Sequence, residues 1–118
     1  MKFLVTDDSK LARLSLIKSL KLHTGEDAEI IQATNGQEAV EAVKKEKPDI
    51  AFLDLTMPIM DGYEALPLML EANPKLKVVV VSADIQTKAK EKVISLGAKL
   101  HVQKPINVDK IREILDIL

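Results

Sequence analysis

The chain has 118 residues and a formal net charge of −1; 47% of it is hydrophobic, 30% is charged, and it has no cysteine or tryptophan. One domain with a substantial core is expected at this length, and the ordinary hydrophobic fraction excludes wholesale disorder. Disulfides, thiolate zinc sites and cysteine nucleophiles are excluded, no apolar run approaches the ~18 residues of a membrane span, and near-neutral charge with three aromatics (Phe3, Phe52, Tyr63) gives no basis for nucleic-acid binding.

The N-terminal apolar stretch is too short for a secretory signal and runs directly into Asp7-Asp8. A cytoplasmic protein is the expectation. Phe3–Thr6 is a short β-branched run, predicted as a strand. Ser9 precedes a helical stretch to about Leu22. Thr24-Gly25-Glu26-Asp27 punctuates, and Ala28–Gln32 reads as a second strand. Asn35 is placed to cap the next helix, with Glu38 at capping-box spacing. Val40 and Val43 give that helix an apolar side, and Pro48-Asp49 stop it. Ile50–Leu53 is a continuous apolar run, the pattern of a strand buried on both faces.

A loop with Met57-Pro58 leads into a helix from about Gly62 to Ala72. Pro67 falls inside it, so a late start or a kink is expected there. Asn73-Pro74 ends the helix. Val78–Val81 is the clearest strand. Ile85, Ala89, Val93 and Leu96 follow at helical spacing, and Gly97 suits the residue after a helix C-cap. Leu100–Gln103 is a fifth strand. Asn107 caps a last helix whose Val108, Ile111, Ile114, Leu115 and Leu118 share one face. Five strand–helix units with short links imply an α/β fold, with a parallel sheet and helices on both faces.

In an open parallel sheet, ligands sit outside the carboxyl ends of the strands. Asp7 and Asp8 follow the first strand, Asp54 the third, Ser82 the fourth, and Lys104 with Pro105 the fifth. Each has an ordinary local explanation: a helix cap, a strand end, a loop Lys-Pro pair. Together they converge on one edge. Two carboxylates ~4 Å apart repel by about 4 kcal/mol at an effective dielectric of 20. Such a cluster calls for a cation, and oxygen-only ligands favour Mg²⁺ or Mn²⁺. Lys104 and Ser82 suit the oxygens of a phosphoryl group. No phosphate-binding glycine loop is present, so a bound nucleotide is unsupported. An aspartate can itself be the nucleophile and become an acyl phosphate.

Asp7-Asp8, the stretch from Asp54 through Thr56, Met57, Pro58 and Asp61 to Gly62, Ser82-Ala83 and Lys104-Pro105 resemble a response-regulator receiver domain of the CheY type. The resemblance covers residues 1–118 as one domain. It implies a flavodoxin-like (βα)5 sandwich with strand order 2-1-3-4-5. It implies that Asp54 is the phosphoacceptor, receiving its phosphoryl group from a sensor histidine kinase or a phosphotransfer protein. It implies that Asp8 and Asp54 bind Mg²⁺ directly, Asp7 through water, and Thr56 through its backbone carbonyl. Lys104 then pairs with the phosphoryl group, and Ser82 is the switch hydroxyl. A cis Lys104-Pro105 bond is expected. Thr56 and Asp84 match positions that tune dephosphorylation.

One position departs from the pattern. Where the family has Tyr or Phe, three residues before the lysine, this chain has His101. It is either a pH-sensitive switch residue or a half-exposed strand histidine. In the first helix, Lys10, Arg13, Lys18 and Lys21 cluster on one side, and Ala12, Ser15, Leu16, Ser19 and Leu20 are expected to face the sheet. Leu14 and Ile17 fall among the charges. They are ordinary exposed apolar residues, or a docking surface for the helices carrying the donor histidine.

The expected function is a phosphorylation-dependent switch that catalyses chemistry only on itself and signals by protein contact, as in chemotaxis or a phosphorelay. The resemblance implies that its downstream target meets the surface of the fourth and fifth helices and fifth strand; Lys88, Lys90, Lys92 and Lys99 are either a basic face for an acidic partner or an ordinary solvated helix face. A monomer or a weak phosphorylation-dependent dimer is expected, with no membrane contact. The alternatives are a receiver cut from a longer DNA-binding regulator, a Mg²⁺-dependent phosphatase and a phosphorylation-independent scaffold.

Overall fold

The computed structural model describes residues 1–83 and 86–118. Strands and helices alternate: β1 (Lys2–Thr6), α1 (Lys10–Thr24), β2 (Glu29–Ala33), α2 (Gly36–Glu46), β3 (Ile50–Leu53), α3 (Gly62–Ala72), β4 (Lys77–Ser82), α4 (Thr87–Ser95), β5 (Leu100–Gln103) and α5 (Val108–Ile117). The expected elements are all present, with ends moved by one or two residues. Asp84 and Ile85, assigned above to dephosphorylation tuning and to the α4 apolar spacing, lie outside the described residues.

Helix starts follow short polar side chains. Ser9, Asn35, Asp61 and Asn107 each accept the backbone N–H of the residue three positions on. Each such cap is worth about 1 kcal/mol. Glu38 does not close the expected capping box on Asn35. Its carboxylate reaches one residue further back and accepts from Thr34 N (2.7 Å) and Thr34 Oγ1 (2.8 Å). Gly97 follows the α4 C-cap Leu96 with φ +110°, a conformation that favours glycine.

Pro67 does not delay the start of its helix. The α3 helix starts at Gly62, directly after its Asp61 cap, and runs through Pro67 to Ala72. Pro67 stands on the exposed face, where water can take over the lost backbone bond. The opposite face, with Ala65, Leu66 and Met69, is fully buried and holds the helix on the sheet.

The sheet is parallel throughout, in the order β2-β1-β3-β4-β5. Alternate residues of the central strands feed two cores. Phe3, Val5, Ile50, Phe52, Val79 and Val81 pack with Leu16 and Leu20 of α1 and Ile111 and Ile114 of α5. Leu4, Ala51, Leu53, Val78 and Val80 pack with residues of α2, α3 and α4. Burial on both faces explains the uninterrupted apolar runs of β3 and β4. Each buried Val, Leu, Ile or Phe among them contributes about 1.5–3 kcal/mol of burial energy. The chain crosses from β1 to β2 on one side and then to β3 on the other. The carboxyl ends of β1 and β3 therefore flank the topological switch point.

The α1 helix differs in detail from its expected orientation. Leu16, Ser19 and Leu20 are buried, but Ala12 is only half-buried and Ser15 is exposed. Ile17, expected among the charges, is half-buried against the α1–α5 core. Arg13 is half-buried as well. Leu14 is 46% exposed, as expected, and Leu11 (83%) and Leu22 (66%) are more exposed still.

Candidate functional site

The residues that carry chemistry stand one step beyond the strands, held by the same ladder. Asp7 N donates to Ala33 O (3.1 Å), Asp54 N to Thr6 O (3.0 Å), and Lys104 N to Ser82 O (2.9 Å). Backbone bonds thus fix the main chain of Asp7, Asp54 and Lys104. Asp7 and Asp54 are buried, and Asp8 is exposed. Carboxylate oxygens of Asp7, Asp8 and Asp54 all lie within 4.8 Å of one another.

Lys104 joins this cluster. Its Nζ donates to Asp7 Oδ2 at 2.6 Å and lies 3.3 Å from Asp54 Oδ1. The peptide before Pro105 is cis, as expected. Burial pushes the Asp54 carboxyl above its ordinary range, and the Asp7 charge adds to this against the pull of Lys104. Burial alone would lower the lysine, but its hydrogen bond to Asp7 and the charge of Asp54 outweigh that and raise it. One lysine against three carboxylates leaves the cluster short of positive charge. Its donors are all hard oxygens, which fits Mg²⁺.

The loop after Asp54 is packed tightly against it. Gly62 N donates to Leu55 O (2.9 Å), and a Cβ at Gly62 would come within 2.3 Å of Asp54 O. Thr56 in this loop is exposed. Ser82 is buried at the same sheet edge. His101 pairs in register with Val80 and is half-buried. A cavity of about 120 Å³, lined by Val5, Leu16, Phe52, Val81 and Ile106, opens beside Asp54 and Lys104.

Five strand-end residues thus meet at one edge, with Asp7, Asp8, Asp54 and Lys104 in a single cluster. The family model for the response regulator receiver domain matches residues 3–116. This chain belongs to that family. The receiver is 38% identical over 117 residues to the chemotaxis protein CheY of Listeria monocytogenes, covering 98% of this chain and 96% of the relative. It is 33% identical over 112 residues to sporulation initiation phosphotransferase F of Bacillus subtilis, covering 95% and 88%. Among solved structures, it matches a chain of the CheX–CheY–BeF3–Mg²⁺ complex from Borrelia burgdorferi. The TM-score is 0.85 at 29% identity, covering 99% of this chain and 88% of that one. The flavodoxin-like fold and strand order expected from the sequence are those observed. No helix among the described residues is long and apolar enough to cross a membrane.

Sequence reasoning missed Arg13. It was placed on the solvated side of α1, yet its Nη1 donates to Asp7 O at 2.8 Å and its Nε to Gln32 Oε1 at 3.1 Å. Both partners come from other elements, so no spacing within α1 could have signalled them.

Proposed function

We propose that this receiver takes a phosphoryl group onto Asp54 from a phosphohistidine of a sensor kinase or phosphotransfer protein. The observation that carries this reading is the cluster itself: a buried Asp54 at the end of β3, with Asp7 and Asp8 brought to it from the end of β1 and Lys104 from the end of β5. An Asp54 carboxylate oxygen attacks phosphorus. The P–N bond to the donor imidazole breaks, and its electron pair stays on the ring nitrogen, which later takes a proton. Catalysis is positioning and charge neutralisation.

Asp8 and Asp54 would hold Mg²⁺ directly, with Asp7 acting through water and Thr56 through its backbone carbonyl. When bound, the cation neutralises charge on the transferring phosphoryl oxygens. Lys104 binds a phosphoryl oxygen, and the Ser82 hydroxyl turns toward the new group. His101 stands in the strand beside Val80, two residues before the Ser82 pairing, and serves as the partner of that switch. The chemistry is confined to the chain's own aspartate, so there is no free-substrate turnover beyond its own phosphorylation and dephosphorylation.

The phosphorylated state is read by a protein partner on the face of α4, β5 and α5, where Lys88, Lys90, Lys92 and Lys99 are exposed. Leu14, beside Ile17 on α1, contacts the donor protein. The Leu14→Ala variant then slows transfer from a phosphohistidine protein and leaves acetyl-phosphate labelling unchanged; equal slowing of both overturns the docking assignment.

Mass spectrometry after incubation with acetyl phosphate and Mg²⁺ tests the main reading. The expected result is one added phosphoryl group, absent in Asp54→Asn. No adduct on the wild-type protein would leave a phosphorylation-independent scaffold as the better account.

A further inference from the structure

Asp7 is held at every polar atom. Its N donates to Ala33 O, its Oδ1 accepts from Ser9 N (2.9 Å), and its Oδ2 accepts from Lys104. The remaining atom, its backbone oxygen, accepts from the Arg13 guanidinium at 2.8 Å. The other arm of the same guanidinium donates to Gln32 Oε1 on β2 at 3.1 Å. A planar fork of this kind fixes two partners in one orientation, which a lysine cannot do.

The Asp7 carbonyl belongs to the peptide that carries Asp8. That unit is planar, so holding its oxygen fixes the plane from which Asp8 departs. Asp8 has little else to orient it: it is exposed, and no hydrogen bond or ion pair among the described residues holds its carboxylate.

We propose that Arg13 is a positioning residue for the cation site. It holds the Asp7–Asp8 peptide so that the Asp8 carboxylate stands ready beside Asp7 and Asp54. This rests on reading the acidic cluster as a Mg²⁺ site.

Charge and position predict opposite signs here. Arg13 is a cation close to a cation site, so by Coulomb's law alone its removal strengthens metal binding. As a positioning group, its removal weakens binding. Second-tier partners of metal ligands typically change affinity 10–100-fold when removed.

The test measures Mn²⁺ affinity by the electron paramagnetic resonance of the free ion, on wild-type, Arg13→Gln and Arg13→Lys proteins. Metal-free melting temperatures are recorded for each. The expected result is about 10-fold weaker binding in Arg13→Gln, and a smaller loss in Arg13→Lys, which keeps the charge but not the fork. A third variant, Gln32→Ala, removes only the brace on the far arm and leaves α1 and the acids intact. It should weaken Mn²⁺ binding a few-fold with the metal-free melting temperature unchanged. Tighter or equal binding in Arg13→Gln, or unchanged binding in Gln32→Ala should Arg13→Gln fail to fold, overturns the proposal. Absence of Mn²⁺ binding by the wild-type protein overturns the metal-site reading with it, so the two failures are distinguishable.

Discussion

Lys104 Nζ lies 2.6 Å from Asp7 Oδ2 but 3.3 Å from Asp54 Oδ1, so the lysine proposed to bind a phosphoryl group is paired first with Asp7 and only second with Asp54. Lys104 acts as the internal counter-ion of the cluster. On the proposed reading, a divalent cation held beside Asp7 would supply positive charge to the same acids and leave Lys104 available to Asp54.

Replacing that counter-ion should therefore cost stability only when metal is absent. Lys104→Met loses a charge-assisted hydrogen bond and leaves the acids unpaired, a loss of about 1–2 kcal/mol without Mg²⁺. Saturating Mg²⁺ should restore most of it. The folded-state pKa of Lys104 is raised above 10.5, so its contribution is complete at neutral and acidic pH. It is lost only as pH climbs through the raised value. Urea unfolding at pH 7, with and without Mg²⁺, reads the difference; an equal loss in both conditions contradicts that reading.

The shift of Asp54 has the opposite sign. Burial, reinforced by Asp7, raises its folded pKa above 3.8. The folded state then binds the proton more tightly than the unfolded chain, so ionisation of Asp54 works against folding. The penalty is complete above the raised pKa and vanishes as pH falls to 3.8 and below. Asp54→Asn should accordingly raise the melting temperature of the metal-free protein at pH 7 by about 4 °C, with the gain shrinking in acid. Calorimetry from pH 7 down to pH 3.5 checks both parts. A gain that persists unchanged in acid points to packing rather than charge.

Much of this is legible in the sequence. The runs Ile50–Leu53 and Val78–Val81 announce strands buried on both faces, and strand-end acids in a parallel sheet have one edge to occupy. Asp7, Asp54, Ser82 and Lys104 could be placed for that reason. Arg13 could not, because its partners Asp7 and Gln32 are set by tertiary packing and not by helical spacing. Ile17 is similar: 100° per residue puts it among the basic residues, but α5 and the sheet reach around α1 far enough to half-bury it. Pro67 conflicts with helix propensity in α3, and the burial of Ala65, Leu66 and Met69 outweighs it.

Gly62 offers a steric test of the acceptor loop. A Cβ there would meet Asp54 O at 2.3 Å and Leu55 Cα at 2.9 Å, both backbone atoms that cannot rotate away. Gly62→Ala should destabilise the protein by about 1–3 kcal/mol, the usual cost of overpacking, and displace Asp54. Acetyl-phosphate labelling of the folded fraction should slow at the same time. Gly25 is the control: nothing lies within 4 Å of its Cβ position, but its φ is +101°. Gly25→Ala costs backbone strain at a distant turn and should leave the labelling rate of the folded protein unchanged.

Ile59 stores strain in that same loop. Its φ is +69°, in the left-handed region, and it is β-branched and 76% exposed. Left-handed backbone costs a non-glycine L-residue roughly 1–2 kcal/mol, and asparagine tolerates it better. Little burial is lost on replacing so exposed a side chain. Ile59→Asn should raise stability by about 0.5–1 kcal/mol, read as a higher urea midpoint with an unchanged slope. A lower midpoint would show that the isoleucine side chain packs well enough to outweigh its backbone strain. Relief of strain five residues from Asp54 also reports on the loop's role. If the strained loop holds Asp54 in place, acetyl-phosphate labelling slows in the stabilised variant; if the backbone bonds Asp54 N–Thr6 O and Gly62 N–Leu55 O suffice, the rate is unchanged. Those two bonds anchor the loop at both ends, so the unchanged rate is the expected outcome.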